Sequence, residues 1–350
     1  MRSRPTALIL GAGASKVFGL PLGSELRVQI ARDLNIRFKD FGNSLLSGSY
    51  EIVEALRLLT RSPDAHSTDI NLYRKAAVQI SEAMALSGSI DEYIERHSEN
   101  KIKSQCAKIA ITKAILEAER RSSIFKNQTQ SSSIFSVKSS DTWLAYFLRD
   151  ITRGYTRNNL PLAFKNITII NFNYDRCFEH FCLNWLQQIY EISEDHAGEI
   201  IKSLNVFHPY GSIAPLPFEK SSQSLAYGGE FDAHRLVKMA TGIRTYSETI
   251  EDNEKTVTVM ERLEAVRSVV FMGFGFHQQN LDILKLPISD KRKSLSCFAT
   301  IEGVSDPKWD IYKSRISNTF SVPAHRDLYA NGFKGVCEDF WNEYSDAILI

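Results

Sequence analysis

An excess of charge of either sign is absent: 42 Lys and Arg against 41 Asp and Glu leave a formal +1 over 350 residues. That balance gives no broad attraction for nucleic acid or anionic membrane, so neither is an expected direct partner. Cysteine is scarce as well. Cys106, Cys177, Cys182, Cys297 and Cys337 are odd in number and include no Cys-x-x-Cys, which argues against a disulfide framework and a cysteine zinc site. No metal is expected, and Cys177 and Cys182 read as buried thiols in an apolar helix. Long hydrophobic runs are missing too. The basic opening Met1–Thr6 leads into an apolar run that stops at Gly11, too short for a signal peptide. No later run approaches the roughly 20 residues of a membrane span. A cytoplasmic location is the expectation.

What is present is a composition, 43% hydrophobic and 24% charged, suited to a globular chain with a sizeable core. Short apolar runs rich in β-branched residues read as buried parallel strands at Ala7–Leu10, Ile167–Ile170, Asn205–His208, Ser268–Met272 and Cys297–Ile301, with a weaker candidate at Thr319–Val322. Helical patterns separate them, at Ser24–Leu34, Asp175–Tyr190, Glu194–Leu204, Glu251–Arg267 and Lys334–Tyr344. This alternation argues for an α/β fold with a Rossmann-like, doubly wound parallel sheet. Residues 48–154 break the rhythm. They carry helical pattern only, including a capping box at Ser89-Ile90-Asp91-Glu92. They read as an all-helical insertion between the first and second strands, leaving 1–47 and 155–350 as the nucleotide-binding domain. Asn127–Ser140 reads as a mobile loop, and Lys291-Arg292-Lys293 as a solvated one.

Four strand ends carry chemistry. Gly11-Ala12-Gly13-Ala14-Ser15 follows the first strand, where glycines let backbone amides approach a pyrophosphate; Lys16 stands where the dinucleotide fingerprint has its third glycine. A loop through Pro21 then delays the helix to a Ser24 N-cap. Ile167–Ile170 runs into Asn171-Phe172-Asn173-Tyr174-Asp175-Arg176, in which Asn171, Asn173 and Asp175 share a side if the segment stays extended. They suit a carboxamide or an attacking water, and equally a helix cap. His208-Pro209-Tyr210-Gly211-Ser212 follows the third expected strand, and Gly273-Phe274-Gly275-Phe276-His277 the fourth.

Taken together and in this order, the four motifs resemble the sirtuin-like superfamily. The resemblance implies an NAD site in which the nicotinamide–ribose bond is broken. It places Gly11, Ala12, Gly13 and Ser15 around the pyrophosphate, Asn173 and Asp175 in the nicotinamide pocket, and Gly273 and Gly275 against the adenosine half. Gly211 and Ser212 match its third motif. Glu302, at the end of the strand Cys297–Ile301, is an acid able to accept from ribose hydroxyls. The chain lacks the four-cysteine zinc module of the deacylating members, and Leu20-Pro21-Leu22 replaces their Asp-Phe-Arg. Both departures favour the bacterial antiphage branch, NAD hydrolases that act in homo-oligomers or with a partner from a defence operon. A third departure concerns catalysis. The family histidine directly precedes the motif's glycine; here that position is Tyr210, and His208 lies roughly 6–7 Å away along an extended strand.

The expected reaction is hydrolysis of NAD to nicotinamide and ADP-ribose. Asn173 orients the water or a ribose hydroxyl, Asp175 holds the nicotinamide, His208 is the candidate base and Tyr210 completes the wall. The alternative from another class is a regulatory subunit that binds NAD or ADP-ribose without turnover. A dehydrogenase is disfavoured by Lys16 and the loop before Ser24, and a zinc-free deacylase ranks below it.

Overall fold

The computed structural model describes residues 4–39, 44–62, 66–126, 134–135, 140–204, 206–251, 253–287, 294–322 and 328–349. Strands β1 (Thr6–Leu10), β4 (Ile167–Asn171), β5 (Ser268–Met272), β6 (Leu295–Thr300) and β7 (Leu328–Phe333) form one sheet in the order β4-β1-β5-β6-β7. Every neighbouring pair is parallel. A separate antiparallel ribbon pairs β2 (Arg37–Lys39) with β3 (Ser44–Ser47).

The sheet is buried on both faces, and its side chains divide by the two-residue period of a strand. In β1, Ala7 and Ile9 enter one hydrophobic cluster while Leu8 and Leu10 enter the other. In β5, Val269 and Phe271 part from Val270 and Met272 in the same way. Helices occupy both faces: α1 (Ala12–Ser15), α2 (Gly23–Leu34), α3 (Tyr50–Leu59), α4 (Ile70–Ala83), α5 (Ile90–Arg96), α6 (Lys101–Arg121), α7 (Trp143–Ile151), α8 (Cys177–Tyr190), α9 (Glu194–Leu204), α10 (Ala233–Ala240), α11 (Tyr246–Glu251), α12 (Asn253–Ala265), α13 (Gln278–Ile283), α14 (Asp306–Thr319) and α15 (Cys337–Leu349). Among the described residues of 48–154 there is no strand, and the helices α3 to α7 run through the interval. Their side chains join the same two clusters as the sheet, α3 to α5 on one face and α7 on the other. None of the helices, among the described residues, is long and apolar enough to cross a membrane.

Two expected strands take other forms. Asn205 lies outside the described residues, and Phe207 makes a single parallel bridge to Ile170, its N–H donating to Ile169 O at 3.0 Å. With that bridge counted as a fragment of strand, the order is the Rossmann one, reversing between β1 and β5. Thr319 ends α14, and Phe320 continues its hydrogen bonding by donating to Ile316 O at 3.0 Å. The edge strand is β7 instead; it is only partly buried and contains Gly332, so it lacks the apolar signature of the central strands. Most of 127–140 and all of 291–293 lie outside the described residues.

Helix boundaries follow local hydrogen bonding. Ser24 is not the cap of α2: the helix starts at Gly23, and the Glu25 carboxylate accepts from the Leu22 N–H at 2.7 Å. Ser89 does cap α5, accepting from Glu92 N–H at 3.0 Å, while the Glu92 carboxylate turns to Arg96. Helix α6 is buried over most of its length, and near its end Glu119, fully buried, meets Arg176. Arg176 Nε donates to Glu119 Oε1 at 3.0 Å and Nη2 to Oε2 at 2.5 Å. The Arg176 and Gly228 N–H groups also donate to this carboxylate, and Arg176 Nη1 donates to Leu225 O at 2.6 Å. Breaking such a satisfied pair strands a charge in the core. Arg176→Met is expected to lower stability by about 3–5 kcal/mol in urea denaturation, and adding Glu119→Leu to recover most of the loss.

Candidate functional site

Because β1 and β5 are adjacent and parallel, the turns that leave them meet at one edge of the sheet. Gly11 N–H donates to Met272 O and Gly13 N–H to Gly273 O, both at 3.0 Å. The glycines are required by this contact. A Cβ on Gly13 would lie 2.6 Å from Gly273 Cα, and one on Gly273 only 2.2 Å from Ala14 N, with Gly273 also at φ +56. The amides of Gly11 and Gly13 are therefore committed to the neighbouring turn, which narrows the phosphate cradle expected of the whole loop. One helical turn, α1, opens directly at Ala12, and Trp143 Nε1 ties its Ala14 carbonyl to α7 at 2.8 Å. On the other turn, Phe276 takes a left-handed φ of +53, held by stacking on Tyr312 with ring centroids 4.8 Å apart.

Over these turns lies a cleft of about 1020 Å³, at the point where the strand order reverses and α/β sheets place their ligands. Gly11, Ala12, Gly13, Gly273, Gly275 and Glu302 line it, as do Asn173, Asp175 and Tyr210. Ser15 sits just beneath the surface and joins the motifs. Asn173 Nδ2 donates to Gly11 O at 3.0 Å and to Ser15 Oγ at 3.1 Å, and the Ser15 hydroxyl donates on to Asp175 Oδ1 at 3.1 Å. Asp175 Oδ1 also accepts at 3.0 Å from the N–H of Cys177, the first residue of α8, so one carboxylate serves the helix start and the cleft wall. Burial raises the Asp175 carboxyl to about 6, with Glu119 adding to the shift and the Cys177 and Ser15 hydrogen bonds opposing it. Asn171 is buried away from the cleft, its Oδ1 accepting from Asn173 N–H at 3.1 Å.

The third motif divides. Tyr210 reaches the cleft and donates from its hydroxyl to Asn280 Oδ1 at 2.7 Å. Burial, then the charges of Asp91 and Glu95, hold the phenol far above its ordinary pKa, so it stays protonated. His208 does not line the cleft. Its Nδ1 is 3.0 Å from Asn173 O and its Nε2 2.7 Å from Glu179 Oε1, which leaves no ring nitrogen for a base. Gly211 and Ser212 also fall outside the wall. Gly211, at φ +71, packs its backbone against Gly242, where a Cβ would come within 1.9 Å of the carbonyl oxygen.

Other residues enter from long range. Asp91 and Glu95 of α5 line the cleft, Tyr174 donates its hydroxyl to Asp91, and Ser247 donates to Glu95 Oε1 at 2.7 Å. Burial raises the Asp91 carboxyl against the opposing bond from Tyr174. Lys16, Asn280 and Glu338 are among the other polar residues of the wall. The capping box was the single local signal for α5; nothing local marked Asn280 or Glu338.

Two outcomes test this geometry. Gly273→Ala combines a left-handed backbone, about 1–2 kcal/mol, with overpacking of about 1–3 kcal/mol. Gly303→Ala, at φ +73 with no atom within 4 Å of the added Cβ, carries the first cost alone, so chemical denaturation should separate the two variants clearly. A folded-state pKa of about 6 against 3.8 for Asp175 means the native chain holds this proton more tightly, so its ionisation costs stability as pH rises from about 4 through 6. Asp175→Asn should remove that loss, up to about 3 kcal/mol, and gain more over the wild type at pH 7 than at pH 4 in melting experiments. No protein-family model, curated protein or solved structure matches the chain.

Proposed function

We propose that the cleft binds NAD and hydrolyses its nicotinamide–ribose bond to give nicotinamide and ADP-ribose. The observation that carries the reading is the Asn173–Ser15–Asp175 chain beside the interlocked glycine turns at the sheet's reversal point. With both amide protons committed to the loop, Oδ1 is the atom Asn173 has left to offer a ribose hydroxyl or a water. Asp175 is mostly ionised at pH 7 and more basic than a free aspartate, so its second oxygen suits taking the proton of the attacking water. Nicotinamide leaves readily; the protein's task is to stabilise an oxocarbenium-like ribose and keep stray water out. On this reading Lys16, in the cleft wall, would meet a phosphate, and Glu302 a ribose of the adenosine half.

The resemblance to antiphage enzymes extends the proposal to NAD depletion in defence, in the cytoplasm, in an oligomer or with a partner that switches the site on. The interval 48–154, taken as an insertion, is the surface for that control, since its α5 supplies Asp91 and Glu95 to the cleft. The second reading, a subunit that binds the nucleotide without turnover, is favoured by one observation: His208 is engaged elsewhere, and a protonated phenol stands at the cleft in its place.

Chromatographic assay of nicotinamide release from NAD, with the protein alone and with candidate partners, separates them. Hydrolysis is expected, with Asn173→Ala lowering kcat by about 100-fold or more. Binding without release would leave the second reading, and retention of full activity by Asn173→Ala would sink the assignment.

A further inference from the structure

His208 and Glu179 form a largely buried pair that the reaction above does not use. The Phe207 bridge sets His208 beside the end of β4, and Glu179 lies in the first turn of α8. Both side chains are 13% exposed. Both partners of the ring, the Asn173 carbonyl and the Glu179 carboxylate, are acceptors at 3.0 and 2.7 Å, and an imidazolium with two N–H donors satisfies both. Among the described residues Glu179 Oε2 is buried with no hydrogen-bond partner, so the bond from the ring to Oε1 carries this carboxylate's hydrogen bonding. Asn173 is thereby fixed at its N–H by Asn171, at its carbonyl by His208, and at its side chain by Gly11 and Ser15.

We propose that His208, held by Glu179, is a positioning residue that orients Asn173 in the cleft through the hydrogen bond from Nδ1 to the Asn173 carbonyl. The inference rests on the reading of Asn173 as the residue that directs attack on NAD. Burial disfavours charge on the ring, but Glu179, the Asn173 carbonyl and Asp175 outweigh it and lift the imidazole above its ordinary pKa. The other charges around the pair are Glu219, which feels both members, and Arg176. Protonation gives the ring both donors, and deprotonation as pH rises through that raised value takes one of the two bonds with it.

The test compares replacements that mimic one ring nitrogen each. The amide nitrogen of His208→Asn falls near Nδ1, that of His208→Gln near Nε2. His208→Ala is expected to lower kcat for nicotinamide release at least tenfold with KM within threefold. His208→Asn should restore kcat to within threefold and remove the alkaline fall of the wild-type profile, while His208→Gln should do neither. Equal kcat in the Asn and Gln variants, or an Ala variant within threefold of wild type, overturns the proposal. If the variants do not fold, the ring nitrogens of wild-type His208 are read by nitrogen-15 NMR at pH 7; two protonated nitrogens support the proposal, and an unprotonated Nδ1 overturns it. Loss of activity in Asn173→Ala with none at His208 overturns this inference alone, whereas a wild type that leaves NAD intact removes the hydrolase reading and the inference together.

Discussion

The ion pair between Glu119 and Arg176 is the constraint from which the site is built. It joins the end of α6, the turn after β4 and the segment 225–228, three parts of the chain with no local reason to meet. A buried pair of this kind adds little net stability, since desolvation offsets much of the attraction, but it penalises every arrangement that leaves either charge unpaired. Arg176 directly follows Asp175, so the geometry that satisfies the guanidinium also sets where the Asn173–Asp175 turn can sit. The Glu119 charge helps keep the Asp175 carboxyl raised, which links a structural contact to the acidity of a cleft-lining group.

A second constraint is steric. The glycines after β1 and β5 read in sequence as places for a nucleotide to approach, and the structure gives them a prior duty to each other. Two turns without side chains pack backbone to backbone, which brings the ends of β1 and β5 close enough for one ligand to span. The glycines make the floor of the cleft here, even where the amides of Gly11 and Gly13 are spent on neighbouring carbonyls.

The central strands were legible because burial on both faces leaves continuous apolar runs, as in Ala7–Leu10 and Ser268–Met272. The half-exposed β7 and the short β2–β3 ribbon carry no such run, and the described part of the expected strand, 206–208, holds one bridge at Phe207. In the site, Asn173 and Asp175 could be named because they sit at a strand end with short polar spacing. Gly211, Ser212 and His208 could not be placed by the same logic, because the chain turns at Tyr210 and sends only the phenol to the cleft. Glu119, Asp91 and Asn280 arrive from helices distant in sequence. Their partners are defined only when the sheet is assembled.

The hydrogen bond from Tyr174 to Asp91 has an evolutionary consequence. Part of the cleft wall belongs to α5 of the helical interval and the part bonded to it to the turn after β4, so the interval is not an exchangeable module. A chimaera that imports helices from a relative would bring its own α5 and replace Asp91 and Glu95 in the wall. Drift in the interval that reshapes α5 must be matched by drift around Tyr174, and lineages of this fold should diverge in these two segments together.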